Sequence, residues 1–396
     1  MNAARCPTAA DAWDLDPDVA HLNHGAFGAC PRAVLDAQDA LRRHIERNPM
    51  GFYTREYFDL IDAARERLAA FLGADPQGLV PVTNATAGVN SVLRSLDLEP
   101  GDELLVTDHA YNACRNALAY VAERAGATVR TVRLPFPVRD PSEVTEAVLT
   151  AVGPRTRLAL IDHVTSASAL VLPLADIVRA LDARGVDTLV DGAHAPGMLP
   201  LALDALGAAY YTGNCHKWLC APKGAGFLLV RADRRDSVMP LVVSHGINRR
   251  RPGRSAFHDA FDWAGTADPS PFALVPQAIE SVGTLHPDGW PGVMAHNRDL
   301  VLRGREVVAA AVGTELPCPP SMVGSIATVV LPVEGVRGER GLSERDPVQQ
   351  ALAREHRIEV PVHRVGEPPM RVIRISGQLY NAPSDYERLA AALTQL

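Results

Sequence analysis

The chain is 396 residues long, 47% apolar and 21% charged, the balance of an ordinary folded protein with room for two domains. Its formal net charge of -7 comes from acidic groups spread along the chain, which excludes a global basic field for a nucleic-acid backbone. No apolar run approaches the ~18 residues of a membrane span, and the six cysteines are too scattered for a zinc site or a disulfide scaffold, so free thiols in a reducing cytoplasm are expected.

In chain order, the first stretch, MNAARCPTAADAWDLDPDVA, has neither a basic leader nor an apolar core, and no secretory signal is expected there. PRAVLDAQDALRRHIERN and REYFDLIDAARERLAAFLG then carry apolar residues at helical spacing and predict two amphipathic helices. From about residue 79 to 231, short apolar runs (LVPV, ELLVT, TVRTVRL, RLALID, DTLVD) alternate with helix-like stretches such as ACRNALAYVAERAG and LADIVRALDARG. That alternation predicts crossover units, hence an α/β fold with a large, mostly parallel sheet and helices on both faces. In such sheets functional groups collect at the carboxyl ends of the strands. Downstream, the long helix PGVMAHNRDLVLRGREVVAAAVG leads into SIATVVLP, VQQALAREH, RIEVPVHR, MRVIRISG and YERLAAALTQL, which predict a second, smaller α/β domain. The expected division is an N-terminal arm and helix over 1–50, a large domain over 51–284 and a small domain over 285–396.

The strand ends carry the chemistry. In PVTNATAGVNSVL, Asn84, Ala85, Thr86 and Ala87 follow a strand and open a helix, where free amides and a Thr hydroxyl suit phosphate; a plain helix cap accounts for the same residues. TDHAYNA offers His109 and Tyr111, either of which can lie flat against a ring, and RLALIDHVTSAS supplies His163, Thr165 and Ser166. DTLVDGAHAPG puts Asp191 at a buried strand end with His194 in the small-residue turn beyond. GNCHKWLCAPKG, flanked by apolar runs, holds Lys217, a charge that is costly there unless paired or neutralised; a snorkelling loop lysine is the plain alternative. An anion cradle, a flat ring, a carboxylate and a lysine are together what pyridoxal phosphate requires.

The segments HLNHGAFGACP, TNATAGVN, DHAYNA, DGAHAPG, GNCHKWLCAPKG, GTADPSPF and RISGQLYN, in that order, span nearly the whole chain. By them it resembles the class V aminotransferase group of fold-type I pyridoxal-phosphate enzymes, and within it the isopenicillin N epimerase-like members. The resemblance implies pyridoxal 5'-phosphate as cofactor, with Lys217 as its imine-forming lysine and Asp191 on its pyridine nitrogen. It implies Thr86, Ala87 and His216 on the phosphate, His194 supporting the cofactor near Asp191, and Tyr111 stacked on the ring in preference to His109. Thr266 is expected to reach the phosphate of a neighbouring subunit, which implies a homodimer. Arg374 is expected to clamp the substrate carboxylate, with Asn23 and His24 also lining the substrate pocket. The implied activity is abstraction of the α-proton of an amino acid by Lys217. Epimerisation is the expected outcome, β-elimination or C–S lysis the rival, and transamination a third.

Other readings explain less. A metal hydrolase built on Asp162, His163, Asp191, His194 and His216 has no close ligand pair such as HExxH and leaves Lys217 and Thr86 unexplained. A dinucleotide dehydrogenase asks for GxGxxG after its first strand, and TNATAGVN is not that. Cys215 and Cys220 read as packing thiols. VEGVRGERGLSERDPV holds no cysteine, which argues against persulfide chemistry. NRRRPGR, at 248–254, reads as a solvated loop, with a site for a second acidic group as the alternative.

Overall fold

A computed structural model describes residues 7–332 and 346–396; the cysteine-free segment 333–345 lies outside the described residues, as do residues 1–6. The strands in chain order are β1 (Ala20–His21), β2 (Leu79–Val82), β3 (Glu103–Thr107), β4 (Thr128–Val132), β5 (Thr156–Asp162), β6 (Asp187–Asp191), β7 (Tyr210–Asn214) and β8 (Gly226–Val230). They are followed by β9 (Ile326–Val330), β10 (Ile358–Glu359), β11 (Val362–Val365) and β12 (Met370–Ser376).

Seven strands form one sheet in the order β2-β8-β7-β6-β5-β3-β4. Strands β3 to β7 pair in parallel, and β8 runs antiparallel to both β7 and β2. The expected α/β architecture is the one observed. Period-2 alternation divides each inner strand between two cores: Ile161 and Val190 belong to one apolar cluster, Leu160 and Leu189 to the other. Burial on both faces is why these strands read as continuous apolar runs rather than alternating ones. Edge strand β4, TVRTV, is exposed along its first four residues.

Upstream, the helices Arg32–Arg47 and Tyr57–Leu72 are joined by a short turn, Pro49–Gly51, and a single π-helical stretch, Phe52–Glu56. Downstream, β11, β12 and β9 form an antiparallel three-stranded sheet. The helix Gly289–Val312 packs against both β9 and the helix Pro383–Leu393.

RIEVPVHR, which reads as one strand, is divided at Val360 and Pro361 between β10 and β11. A proline has no amide to continue a ladder. The chain therefore changes sheets there: β10 pairs in parallel with β1 of the N-terminal arm, and the Ser376 amide donates to Leu22 O at 2.9 Å. These bonds tie the arm to the C-terminal part of the chain. Among the described residues no helix is long and apolar enough to cross a membrane.

Candidate active site

Strand β7 ends at Asn214 and the chain doubles back through residues 215–225 into β8, so His216 and Lys217 sit in a turn at the sheet's edge of functional strand ends. Lys217 is half-buried, and its Nζ lies 3.2 Å from His194 Nε2. The other nitrogen of that ring, Nδ1, accepts the Trp218 indole N–H at 3.4 Å. An indole only donates, so Nδ1 carries no proton and the neutral imidazole carries it on Nε2. That proton points at the lysine, which accepts it when its amine is unprotonated. Burial, reinforced by the Arg374 charge, brings the Lys217 ammonium down to about 8, and the same burial pushes His194 well below its ordinary value.

The N-terminal arm supports this turn from below. Gly28 adopts φ +69°, and a Cβ there would run into the His216 carbonyl. His24 is expected to meet substrate; instead it is buried, with Nε2 on the Lys217 carbonyl at 3.0 Å and Nδ1 on the Tyr380 hydroxyl at 3.0 Å. Both ring nitrogens are used, so His24 braces the lysine's backbone and does not face the pocket.

Asp191 ends β6, with its Oδ1 accepting the Ala193 amide at 3.0 Å and its Oδ2 accepting the Cys114 thiol at 3.1 Å. In parallel register beside it on β5 stands Asp162. The sequence marked Asp162 only as a metal ligand, and nothing local signals that it neighbours Asp191. Cys114, on the helix Asn112–Ala125, was likewise missed.

At the anion end, Asn84 caps the helix Ala85–Leu93 by accepting the Ala87 amide at 2.9 Å, and Asn214 Oδ1 accepts the Ala85 amide at 2.8 Å. The Ala87 amide is therefore already committed to the cap, which leaves Thr86 to meet an anion. A Cβ on Gly226 would lie 2.8 Å from Asn84 Cα, so the missing side chain lets the helix start seat against β8. His216 donates from Nδ1 to Ala225 O at 2.9 Å, and burial lowers its ring to about 4. Its neutral Nε2 is thus a bare acceptor, able to meet a phosphate only once protonated.

Arg374 comes from β12 and joins the two sheets: Nη1 donates to Ser166 O at 2.6 Å, and Nη2 to Asn23 Oδ1 at 3.0 Å. Its Nε is buried without a partner, and burial lowers the guanidinium to about 10. Asn23 therefore reaches the pocket through Arg374. Tyr111 is 48% exposed and its amide faces the Asp162 carboxyl, while His109 is buried, with Nδ1 on Ser168 Oγ at 2.8 Å. Of these two rings, Tyr111 has the open face. His163 turns to the Tyr211 hydroxyl at 2.8 Å, and Thr165 to Ser168 Oγ at 2.7 Å, so both serve the strand ends structurally. Cys215 lies fully buried in the main apolar cluster.

Thr266 is not near Lys217. It lines a surface cavity of about 1110 Å³ together with Met50, Tyr53, Ser244, Arg249 and Trp263. Arg251 and Arg254 are drawn inward to Asp259 and Asp262, and Arg250 donates to the carbonyls of Gly246 and Ala256. Arg251 and Arg254 thus bind the following helix rather than solvent, while Arg249 and Arg250 stay exposed as a solvated loop requires.

The residues present fit pyridoxal phosphate: a half-buried lysine with its ammonium lowered to about 8, a buried carboxylate near it, a capped helix N-terminus and a buried guanidinium with an unpaired Nε. Among the described residues no group of three or more His, Cys, Asp or Glu side chains is placed to hold a metal ion.

Comparison with known proteins gives the same picture. The Aminotransferase class-V family model matches residues 22–283. The isopenicillin N epimerase of Streptomyces clavuligerus is 37% identical, over 96% of this chain and 96% of that protein. A probable chloroplastic L-cysteine desulfhydrase of Arabidopsis thaliana is 32% identical, over 96% and 83%. The fold is that of the cystine C–S lyase C-DES, solved with its product cysteine persulfide, at a TM-score of 0.77, 22% identity and 96% and 98% coverage.

Proposed function

This chain belongs to the class-V aminotransferase family, and from that membership we propose that it is a β-eliminating lyase acting on a sulfur-bearing amino acid. It is a pyridoxal-phosphate enzyme with an amino-acid substrate; the elimination and the sulfur are the finer reading. The observation that carries it is the Lys217 Nζ to His194 Nε2 contact of 3.2 Å, which positions a single lysine amine as base.

Pyridoxal phosphate, when bound, supplies the electron sink that makes the substrate's α-proton acidic. Lys217 Nζ takes that proton as the free amine, a form brought within reach by the lowering of its ammonium to about 8. Arg374 holds the α-carboxylate with its planar fork, itself oriented by Asn23 and Ser166. Thr86 and His216 hold the phosphate, and Asp191 the ring nitrogen. Elimination then asks the protein for nothing but a departing β-substituent. Inversion asks for a second acid on the opposite face. The L-cysteine desulfhydrases among the relatives support the first outcome.

Epimerisation is the second reading, supported by the 37% identity to the Streptomyces clavuligerus epimerase along nearly the full length of both chains. Incubation of the cofactor-loaded protein with L-cysteine and other amino acids in deuterated water tests the two. Pyruvate with ammonia supports elimination; α-deuterium without keto acid supports epimerisation and removes the lyase reading. Absence of the cofactor–lysine absorbance band removes both.

The active unit in this reading is a homodimer. Thr266, Met50 and Ser244 share one cavity whose lining includes none of Lys217, Asp191, His194 or Arg374. Exposed Leu241, Val242 and Val243 lie on the adjoining segment. These residues serve the partner's site, and a monomer in sedimentation with full activity contradicts the assignment.

A further inference from the structure

Asp162 and Asp191 end neighbouring parallel strands in register, so two carboxyl groups stand side by side on the floor of the site. They are 3% and 4% exposed. Two like charges this close and this dry do not both persist, and the pair holds one proton between them. The partners decide where it sits. Asp191 receives a hydrogen bond at each oxygen, from the Ala193 amide and the Cys114 thiol. The Asp162 carboxyl accepts the Tyr111 amide and its own, but its Oδ2 is buried without any partner. A bare ionised oxygen is the more costly of the two to bury, so the proton belongs on Asp162.

The surroundings agree. Burial, then the Asp191 charge, push the Asp162 carboxyl well above its ordinary value, with the Tyr111 amide, its own amide and Lys217 opposing. Burial, then Asp191, also push the Cys114 thiol up, so it stays protonated and remains a donor. Lys217 faces the pair from the β7–β8 turn and Tyr211 faces Asp191 from β7.

We propose that Asp162 is a neutral carboxylic acid beside an ionised Asp191, and that the Cys114 thiol fixes the negative charge on Asp191. This rests on the pyridoxal-phosphate reading for its purpose: the two positioning residues give the cofactor's ring nitrogen a single, localised negative partner. Asp162 also holds the Tyr111 amide, so the same neutral group sets the backbone of the half-exposed Tyr111.

Infrared difference spectra of the full chain as purified test the carboxyl pair whatever its cofactor content. Wild type minus D162N at neutral pH should show a carboxylic-acid carbonyl band lost in the variant. Wild type minus C114A should show an S–H stretch at lower wavenumber than the protein's other thiols, a readout that stands if D162N does not fold. Absence of the acid band, or a Cys114 stretch at the free-thiol position, overturns the proposal. The second readout is the pH midpoint of the cofactor absorbance. Because D162N removes no charge, the midpoint stays where it is in wild type, while C114A moves it and C114S restores it. A D162N shift of about one pH unit or more shows that a real charge was removed, and overturns the proposal. An acid band with no cofactor absorbance keeps the pair and removes the cofactor reading instead.

Discussion

Lys217 Nζ lies 3.2 Å from Nε2 of His194, and the Trp218 indole donates to the other nitrogen of the same ring. The three side chains favour one imidazole tautomer and, through it, the uncharged form of the lysine, whose ammonium is lowered to about 8. That state is the working one for both a nucleophile and a base.

The first expected outcome concerns pH. With Lys217 lowered to about 8, the rate of cofactor uptake by the cofactor-free protein rises with pH through about 8 and then levels, because only the free amine adds to the aldehyde. Stopped-flow absorbance measures it. Stability follows the same sign. The folded lysine releases its proton near 8 and the unfolded one near 10.4, so between those values the unfolded chain binds more protons and stability rises with pH. Relative to K217M, wild type gains at most about 3 kcal/mol across that window, and none below it. Urea titrations of both proteins at pH 7 and pH 10 read the difference.

His216 supplies a second pH effect of opposite sense. Its Nδ1 is committed to Ala225 O and its ring is held near 4, so phosphate binding requires a proton on Nε2. Cofactor binding therefore takes up a proton near neutral pH, and affinity falls as pH rises. An NMR titration of the His216 ring with and without cofactor should move upward on binding; an unmoved ring contradicts the phosphate role.

Arg374→Lys is not a conservative change here. A point charge cannot hold Ser166 O, Asn23 Oδ1 and a substrate carboxylate in one plane. Loss of a buried, hydrogen-bonded charge contact costs about 3 kcal/mol, or roughly a hundredfold in kcat/KM. Steady-state kinetics should place most of it in KM, while the cofactor absorbance stays.

Asp262 lies at the centre of a buried charge network, accepting both Arg65 bonds at 2.6 and 2.7 Å and a third from Arg254. D262N removes the fully buried carboxylate the two guanidinium groups share but leaves Arg65 on Asp62 and Arg254 on Asp62 and Asp259, so a loss smaller than the ~3–5 kcal/mol of a fully stranded buried charge is expected in urea unfolding. The exposed pair Arg179–Asp176 is the control: D176N changes stability by less than about 1 kcal/mol.

G28A tests the arm. The added methyl meets the His216 carbonyl at a φ of +69°, which unseats the arm from the lysine turn. A loss of about 1–3 kcal/mol is expected, with weaker cofactor retention on dialysis and an unchanged far-ultraviolet spectrum.

Much of the site was legible in the chain. Asn84 and Thr86, Asp191 and Lys217 lie at or just beyond strand ends, which are visible as apolar runs stopped by polar or small residues, whereas Arg374 stands within β12. Periodicity is a local property, so sequence by itself determined the alternation of strands and helices, the parallel sheet and the lysine at its edge. Other relationships depend on which strands are neighbours and which face a ring turns to. Tertiary structure alone decided that Asp162 stands beside Asp191, 29 residues away along the chain. It also turned His24 inward to brace the Lys217 carbonyl and committed the Ala87 amide to its own cap. Register, burial and the competition of neighbouring donors fix these choices, and none of the three is a property of a short stretch of residues.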